Sequence, residues 1–103
     1  MFKLIAIYKI PKDVTAFEEH YAKVHTPLAK KIPNLQELRI NRVFGGPQGK
    51  SNTHMIAELC FADKAAFQAG MGSAEALASG KDVMGFAGDI VSVHFAEETT
   101  TPL

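Results

Sequence analysis

The chain has 103 residues, the length of one domain. Its eleven basic and eleven acidic side chains cancel, so it lacks the positive field that drives non-specific nucleic-acid binding and has no polybasic stretch for an anionic membrane. We therefore expect neither a nucleic acid nor a membrane as a partner.

The first third of the chain predicts a strand followed by an interrupted helix. Residues 2–10 are rich in β-forming side chains and end at Pro11, and Asp13 has the character of a helix N-cap. Pro27 has no N–H and crowds the carbonyl four residues before it, so we expect a kink or a restart there, with Thr26 as a new N-cap. Apolar side chains recur at every third or fourth position, as on one helix face: Val14, Phe17, Tyr21, Val24 and Leu28.

The middle of the chain predicts a hairpin. Residues 36–44 alternate apolar and polar side chains, and residues 54–61 form a second β-rich run. The connection between them, residues 45–52, is rich in Gly, Pro, Asn and Ser. The two runs should therefore pair as antiparallel strands.

The remainder predicts helices and a last strand. Asp63 is a candidate N-cap for a second helix, Ser73 could restart that helix, and residues 79–88 look like a further short helical piece. A last strand follows at residues 89–96. We expect one domain over residues 1–96 and a polar C-terminal tail over residues 97–103.

This order of elements, strand–helix–strand–strand–helix–strand, predicts a fold class. Two right-handed crossovers of this kind build an α+β, ferredoxin-like βαββαβ domain, a four-stranded antiparallel sheet with its helices on one face. In that arrangement the first and third strands are central and the second and fourth lie at the edges.

The strands carry apolar side chains on both faces. In the first strand Leu4, Ala6 and Tyr8 share one face, yet Ile5 and Ile7 occupy the other. Strands that are apolar on both faces need a cover on both, and the helices supply only one. We expect a homodimer in which a second sheet is the other cover, against the alternative of a monomer with a few apolar surface residues.

The single cysteine, Cys60, excludes an intrachain disulfide. It lies in an apolar run, which favours a buried small side chain over a catalytic thiol in an exposed electropositive setting. Residues 1–9 show no signal-peptide pattern, and no apolar stretch is long enough to span a bilayer. These features together predict a cytoplasmic protein.

The candidate chemistry is concentrated at His20, Tyr21 and His25. On an α-helix the two histidines lie about 140° apart and flank the apolar stripe, so we do not expect a shared metal site. Either histidine could act as an acid, a base or a hydrogen-bond donor in a pocket. Alternatively, both could form hydrogen bonds only with the backbone or with water. Tyr21 suits the core, but its hydroxyl would need a partner there, and a pocket could provide one.

Glu58 is a carboxylate between apolar neighbours in a predicted central strand. Burial would raise the pKa of an unpaired carboxyl there. One interpretation is an ion pair at a dimer interface with Arg39, Arg42 or a partner residue; the other is a ligand-binding or catalytic role.

At these positions the sequence resembles the EthD family of dimeric α/β-barrel proteins, named from ethyl tert-butyl ether degradation. The resemblance rests on Tyr8, on residues 17–21 and 25–28, on Pro33 and on residues 85–89. It implies a ferredoxin-like protomer whose sheet packs on its twin's, with a cleft between sheet and helices.

The resemblance also implies site residues. They are the pocket residues His20, Tyr21 and His25, which we take as the candidate catalytic groups. Our own candidates for ligand contacts are Tyr8, Phe17, Leu28, Glu58 and Phe86. The family is associated with an oxygenase-dependent degradation pathway, so an oxygenase system is an implied partner. We expect no metal and no cofactor, haem included.

Three functions remain open from the sequence. The first is a cofactor-independent enzyme acting on a hydrophobic organic compound by oxidation, isomerisation or proton transfer. The second is a non-catalytic protein that binds such a compound and delivers it to an oxygenase, and the third is a purely structural dimer module.

Overall fold

The computed structural model describes all 103 residues and contains the predicted elements in the predicted order. The strands are β1 (Phe2–Lys9), β2 (Glu37–Arg42), β3 (Thr53–Phe61) and β4 (Val91–Glu97). The helices are α1 (Val14–His20), a π-helical segment (Tyr21–His25), α2 (Thr26–Ala29), α3 (Lys64–Met71) and α4 (Ala74–Ala87).

The four strands form one antiparallel sheet in the order β2-β3-β1-β4, and the helices pack on one face of it. The ferredoxin-like α+β fold is therefore confirmed, with β1 and β3 at the centre. Leu4 of β1 lies opposite Leu59 of β3 on one side and Phe95 of β4 on the other. This register places the even-numbered positions of β1 on the face that the helices cover.

The main core lies between the centre of the sheet and the helices. Tyr8 and Met55 are fully buried on the two central strands, and Phe17 and Tyr21 cover them from the first helical region. The Tyr8 ring meets the Phe17 and Tyr21 rings edge-on, with centroids 5.2 and 5.9 Å away. Aromatic packing of this kind fixes the helix over the sheet.

The first helical region is continuous, which corrects the prediction of a restart at Thr26. Thr26 has helical dihedral angles, and both its N–H and its hydroxyl donate to the carbonyl of Tyr21. Thr26 is thus not an N-cap. The chain widens into a π-helical turn over Tyr21–His25 instead, and this wider turn accommodates Pro27 without breaking the helix.

The later helices begin at the predicted caps. The side chains of Asp63 and Ser73 accept hydrogen bonds from the N–H groups three residues on, at the starts of α3 and α4. The prediction of a separate helical piece at residues 79–88 is wrong, because α4 runs unbroken from Ala74 to Ala87. Ser79, Val83 and Ala87 are buried at four-residue spacing, and this packing outweighs the low helix propensity of the serine and glycine residues around them.

The sheet face opposite the helices, which we call the open face, is mixed rather than apolar throughout. Ile5, Ile7 and Ile56 lie half-buried at its centre. Beside them Lys3 Nζ lies 2.6 Å from Glu58 Oε1 and 2.9 Å from a carboxylate oxygen of Glu98. The apolar centre is what a second sheet would cover.

Cys60 lies on the open face next to Lys3 and is fully buried, as its apolar sequence neighbours predict. Burial raises the pKa of its thiol, which disfavours the reactive thiolate.

No helix of the chain is both long and apolar enough to cross a lipid bilayer.

Candidate functional site

A cavity of about 630 Å³ lies between the helices and the sheet. Fourteen of its eighteen lining residues are hydrophobic, so the cavity favours an apolar occupant. The floor comes from the central strands, and the walls come from the first helical region and α4. The lining residues include Tyr8, Tyr21, His25, Ala57, Leu59, Leu77, Gly80, Met84 and Phe95.

The cavity opens between α4 and the edge strand β4. Leu77 and Met84 of α4 are 61% and 64% exposed, and Phe95 of β4 is 69% exposed, although all three line the cavity. Large apolar side chains around an opening are typical of a ligand-binding mouth.

Tyr21 supplies the cavity with an unused polar group. The residue is 3% exposed, and its hydroxyl is the one buried side-chain oxygen or nitrogen with no hydrogen-bond partner. Burial raises the pKa of this phenol to about 12. The hydroxyl is therefore protonated at neutral pH and keeps an unused hydrogen-bond donor.

His25 is the second polar group at this wall. It is 3% exposed, and its ring centroid lies 5.0 Å from that of Tyr21. Its Nδ1 lies 3.1 Å from Asp82 Oδ2, and its Nε2 makes no hydrogen bond within the chain. Burial lowers the pKa of the imidazole, and the hydrogen bond to Asp82 opposes this effect without overcoming it.

Asp82 of α4 joins the two predicted histidines. Its Oδ1 lies 2.8 Å from Nε2 of His20 and its Oδ2 contacts His25. His20 is one-third exposed and stacks near Phe86, with ring centroids 4.2 Å apart. Sequence reasoning missed Asp82; the available signal was a single carboxylate one turn before Phe86 on the packed side of a helix.

The π-helical segment explains how one carboxylate reaches both histidines. The separation of about 140° between His20 and His25 holds only for an α-helix. Hydrogen bonds from residue i+5 to residue i widen the turn, so positions five apart come closer to the same face. Tyr21 and His25 are the first and last residues of this segment.

Most of the other predicted site residues lie outside the cavity. Tyr8 lines it, and burial raises the pKa of its phenol. Phe17, His20 and Phe86 line a separate depression between α1 and the end of α4. Leu28 is half-buried on α2 and does not line the cavity.

Glu58 lies on the open face and not in the cavity. It forms its ion pair with Lys3 rather than with Arg39 or Arg42, and Asn41 Nδ2 donates to it at 2.8 Å. These two partners lower the pKa of the Glu58 carboxyl, the reverse of the rise expected for an unpaired buried carboxyl. No group of three or more His, Cys, Asp or Glu side chains is arranged to hold a metal ion.

Comparison with known proteins finds close relatives. The EthD domain pattern matches residues 10–90. A solved EthD family protein from Bacillus halodurans is 41% identical, covers 96% of this chain and 99% of its own, and superimposes with a TM-score of 0.91. An uncharacterized 11.0 kDa protein from the thcB–thcC intergenic region of Rhodococcus erythropolis is 29% identical over 100 residues and covers 97% of each chain.

Two more distant structures share the fold alone. A dimeric ferredoxin-like protein from a Jannaschia species is 18% identical, with a TM-score of 0.65 over 95% of this chain and 100% of that one. SnoaB, a cofactor-independent oxygenase from Streptomyces nogalater, is 11% identical, with a TM-score of 0.68 over 97% and 94%.

Proposed function

Because this chain belongs to the EthD family, we propose that it binds a hydrophobic organic molecule in the cavity and exchanges a proton with it through His25. The protein then acts either as an accessory catabolic enzyme or as an oxidoreductase-type enzyme without a resident cofactor, in which dioxygen oxidises the molecule that His25 has deprotonated. One observation carries this proposal: a largely apolar cavity lined by a buried histidine and by a tyrosine whose hydroxyl has no hydrogen-bond partner.

The cavity supplies the binding energy. A ligand that buries about 200 Å² of apolar surface there gains roughly 5 kcal/mol before the costs of association. A buried hydroxyl without a partner costs about 1–3 kcal/mol, and a ligand oxygen that accepts from Tyr21 removes that cost. Hydrophobic molecules that carry an oxygen are therefore favoured over pure hydrocarbons.

His25 supplies the chemistry. Its lowered pKa leaves the imidazole neutral at neutral pH, and a neutral imidazole beside a carboxylate is a common general base. The absence of a resident cofactor is supported by SnoaB, described as a cofactor-independent oxygenase, which shares this fold.

A second candidate is a non-catalytic protein that delivers the same compound to an oxygenase. The exposed apolar residues around the mouth, Leu77, Met84 and Phe95, favour this alternative, because a wide apolar mouth suits transfer of a ligand to another protein.

The protein acts as a homodimer in this proposal. The isoleucines at the centre of the open face need a cover, and the Jannaschia relative of the same fold is dimeric. A cytoplasmic location is part of the proposal, since the buried single thiol of Cys60 suits a reducing compartment.

Binding is tested with 1-naphthol and a pair of glycine variants in α4. Gly80 lines the cavity and Gly85 does not, and a Cβ at either position meets no atom within 4 Å. We expect Gly80→Leu to fill the cavity and weaken 1-naphthol binding by about tenfold or more, and Gly85→Leu to leave it unchanged. Equal binding by both variants would place the ligand elsewhere.

Proton transfer is tested with 1-tetralone, whose hydrogens beside the carbonyl exchange slowly with deuterated water. We expect the protein to accelerate this exchange and His25→Asn to abolish the acceleration while 1-tetralone still binds. If bound 1-tetralone exchanges equally slowly with both proteins, proton transfer at His25 is excluded and the delivery function remains.

A further inference from the structure

Asp82 determines which nitrogen of His25 carries the proton. A carboxylate can only accept hydrogen bonds, and Asp82 lies within hydrogen-bond distance of Nδ1 of His25 and Nε2 of His20. Both of those nitrogens must therefore be protonated. The other tautomer of His25 would set a nitrogen lone pair against a carboxylate oxygen at 3.1 Å inside a buried site.

The neutral imidazole then has only one arrangement. With its proton on Nδ1, His25 presents the lone pair of Nε2, which has no partner in the chain. Beside it, Tyr21 presents an O–H that also has no partner. His25 thus gives the cavity wall an acceptor, and the Tyr21 ring lies beside it, with ring centroids 5.0 Å apart. The hydroxyl-bearing residues Tyr8 and Ser79 line the same cavity.

His20 holds the carboxylate in place from the outer side. Its Nε2–H donates a hydrogen bond to Oδ1 of Asp82, and its ring packs near Phe86. A carboxylate bonded at both oxygens is fixed in orientation. Asp82 is therefore a positioning residue, and His20 supports it without facing the cavity.

We infer that Asp82 fixes His25 as an acceptor, so that the cavity selects hydrophobic phenols, enols or enolisable ketones. One hydroxyl of such a molecule donates to His25 Nε2 while its oxygen accepts from the Tyr21 hydroxyl. For an enolisable ketone, His25 takes the proton from the adjacent carbon and Tyr21 stabilises the enolate oxygen. This inference rests on the proposed function and adds the ligand class.

The tautomer is measured directly in the ligand-free protein. Long-range proton–nitrogen correlation at neutral pH should show His25 with a protonated Nδ1 and an unprotonated Nε2. In Asp82→Asn the amide group can donate to Nδ1, so we expect the Nε2-protonated form to become populated. A wild-type His25 protonated on Nε2 overturns the inference, whatever the variant does.

The ligand class is measured with three naphthalene derivatives. 1-Naphthol carries a donor and an acceptor, 1-methoxynaphthalene carries only an acceptor, and naphthalene carries neither. We expect 1-naphthol to bind about 3- to 10-fold more tightly than 1-methoxynaphthalene, the value of one hydrogen bond. Asp82→Asn should abolish this preference, and the exposed Asp89→Asn, a matched control, should retain it.

The outcomes separate the inference from the proposed function. If all three probes bind equally and Gly80→Leu blocks them, the acceptor assignment is overturned and the cavity remains a binding site. If none of them binds, the proposed function fails. Preference for 1-naphthol that persists in Asp82→Asn overturns the role of Asp82.

Discussion

Tyr21 belongs both to the core and to the site. Its ring packs against Tyr8 and Phe17 and lines the cavity, while its hydroxyl is buried without a partner. The apolar spacing of the sequence predicts the first property, since it counts only which face a residue occupies. The second depends on the opposite wall of the cavity, which local spacing does not describe.

Tyr21→Phe should therefore separate stability from binding. The variant removes an unsatisfied buried hydroxyl, so we expect the free energy of unfolding to stay level or rise by up to about 1 kcal/mol in urea titrations. Binding of 1-naphthol should weaken about 3- to 10-fold. Naphthalene is the matched probe, and an equal loss for naphthalene would show that the variant damages the cavity rather than the hydrogen bond.

His25 should make stability depend on pH. Its folded pKa lies below the ordinary value of 6.5 because of burial, so the unfolded state binds a proton first as the pH falls. The neutral His25 imidazole thus contributes to the free energy of unfolding above pH 6.5, and this contribution is lost as the pH falls toward the pKa of the folded state. The pKa values of Glu18 and Glu58 are lowered from 4.5, so their losses begin at more acidic pH.

The measurement is an NMR titration of His25, combined with urea unfolding on both sides of that range. We expect a midpoint below 6.5 and a smaller loss of stability on acidification in His25→Asn. A midpoint above the ordinary value would contradict the burial argument.

At the scale of elements, the π-helical segment is the largest departure from the sequence-based expectations. Pro27 correctly indicated a disturbance, but the α-helical wheel placed His20 and His25 too far apart for one partner. Which irregularity a proline produces depends on the packing around it. Here the wider turn preserves the helix and brings both histidines to Asp82.

Two glycines, Gly70 of α3 and Gly85 of α4, differ in the space around them. A Cβ at Gly70 would lie 2.6 Å from a ring carbon of Phe61 and 2.8 Å from the carbonyl oxygen of Pro33, whereas one at Gly85 would meet nothing within 4 Å. From helix propensity alone, Gly70 would only weaken the helix. The structure shows that it permits close approach of α3 to the sheet.

Gly70→Ala should lower the free energy of unfolding by about 1–3 kcal/mol, because the core must shift to admit the methyl group. Gly85→Ala is the matched control in an exposed helical position and should raise it by about 0.5–1 kcal/mol. Chemical denaturation of both variants measures the difference. A stabilised Gly70→Ala would contradict the close packing at α3.

At the scale of the whole molecule, the fold followed from the sequence almost completely. The order of elements fixed the sheet topology, and alternation in β1 identified the two faces. The polar part of the open face did not follow, because the pairing of Lys3 with Glu58 joins residues far apart in the chain. The cavity did not follow either, since its mouth is formed by α4 and β4 together.

The proposed homodimer predicts a specific effect at the open face. Ile7→Glu places a charge at the apolar centre between Ile56 and Ser92, and burial of an unpaired charge opposes association. We expect light scattering to give the mass of one chain for this variant and of two for the wild type. Val14→Lys on the outer surface of α1, where the side chain is 40% exposed, should remain dimeric.

The central claim is that a hydrophobic ligand occupies the cavity between helices and sheet. The most direct test is intermolecular NOE spectroscopy of 1-naphthol with methyl-labelled protein. We expect contacts from the naphthol ring to the methyl groups of Ala57, Leu59 and Met84, which line the cavity. Contacts confined to Ile5, Ile7 and Ile56 on the open face, or no contacts at saturating 1-naphthol, would contradict it.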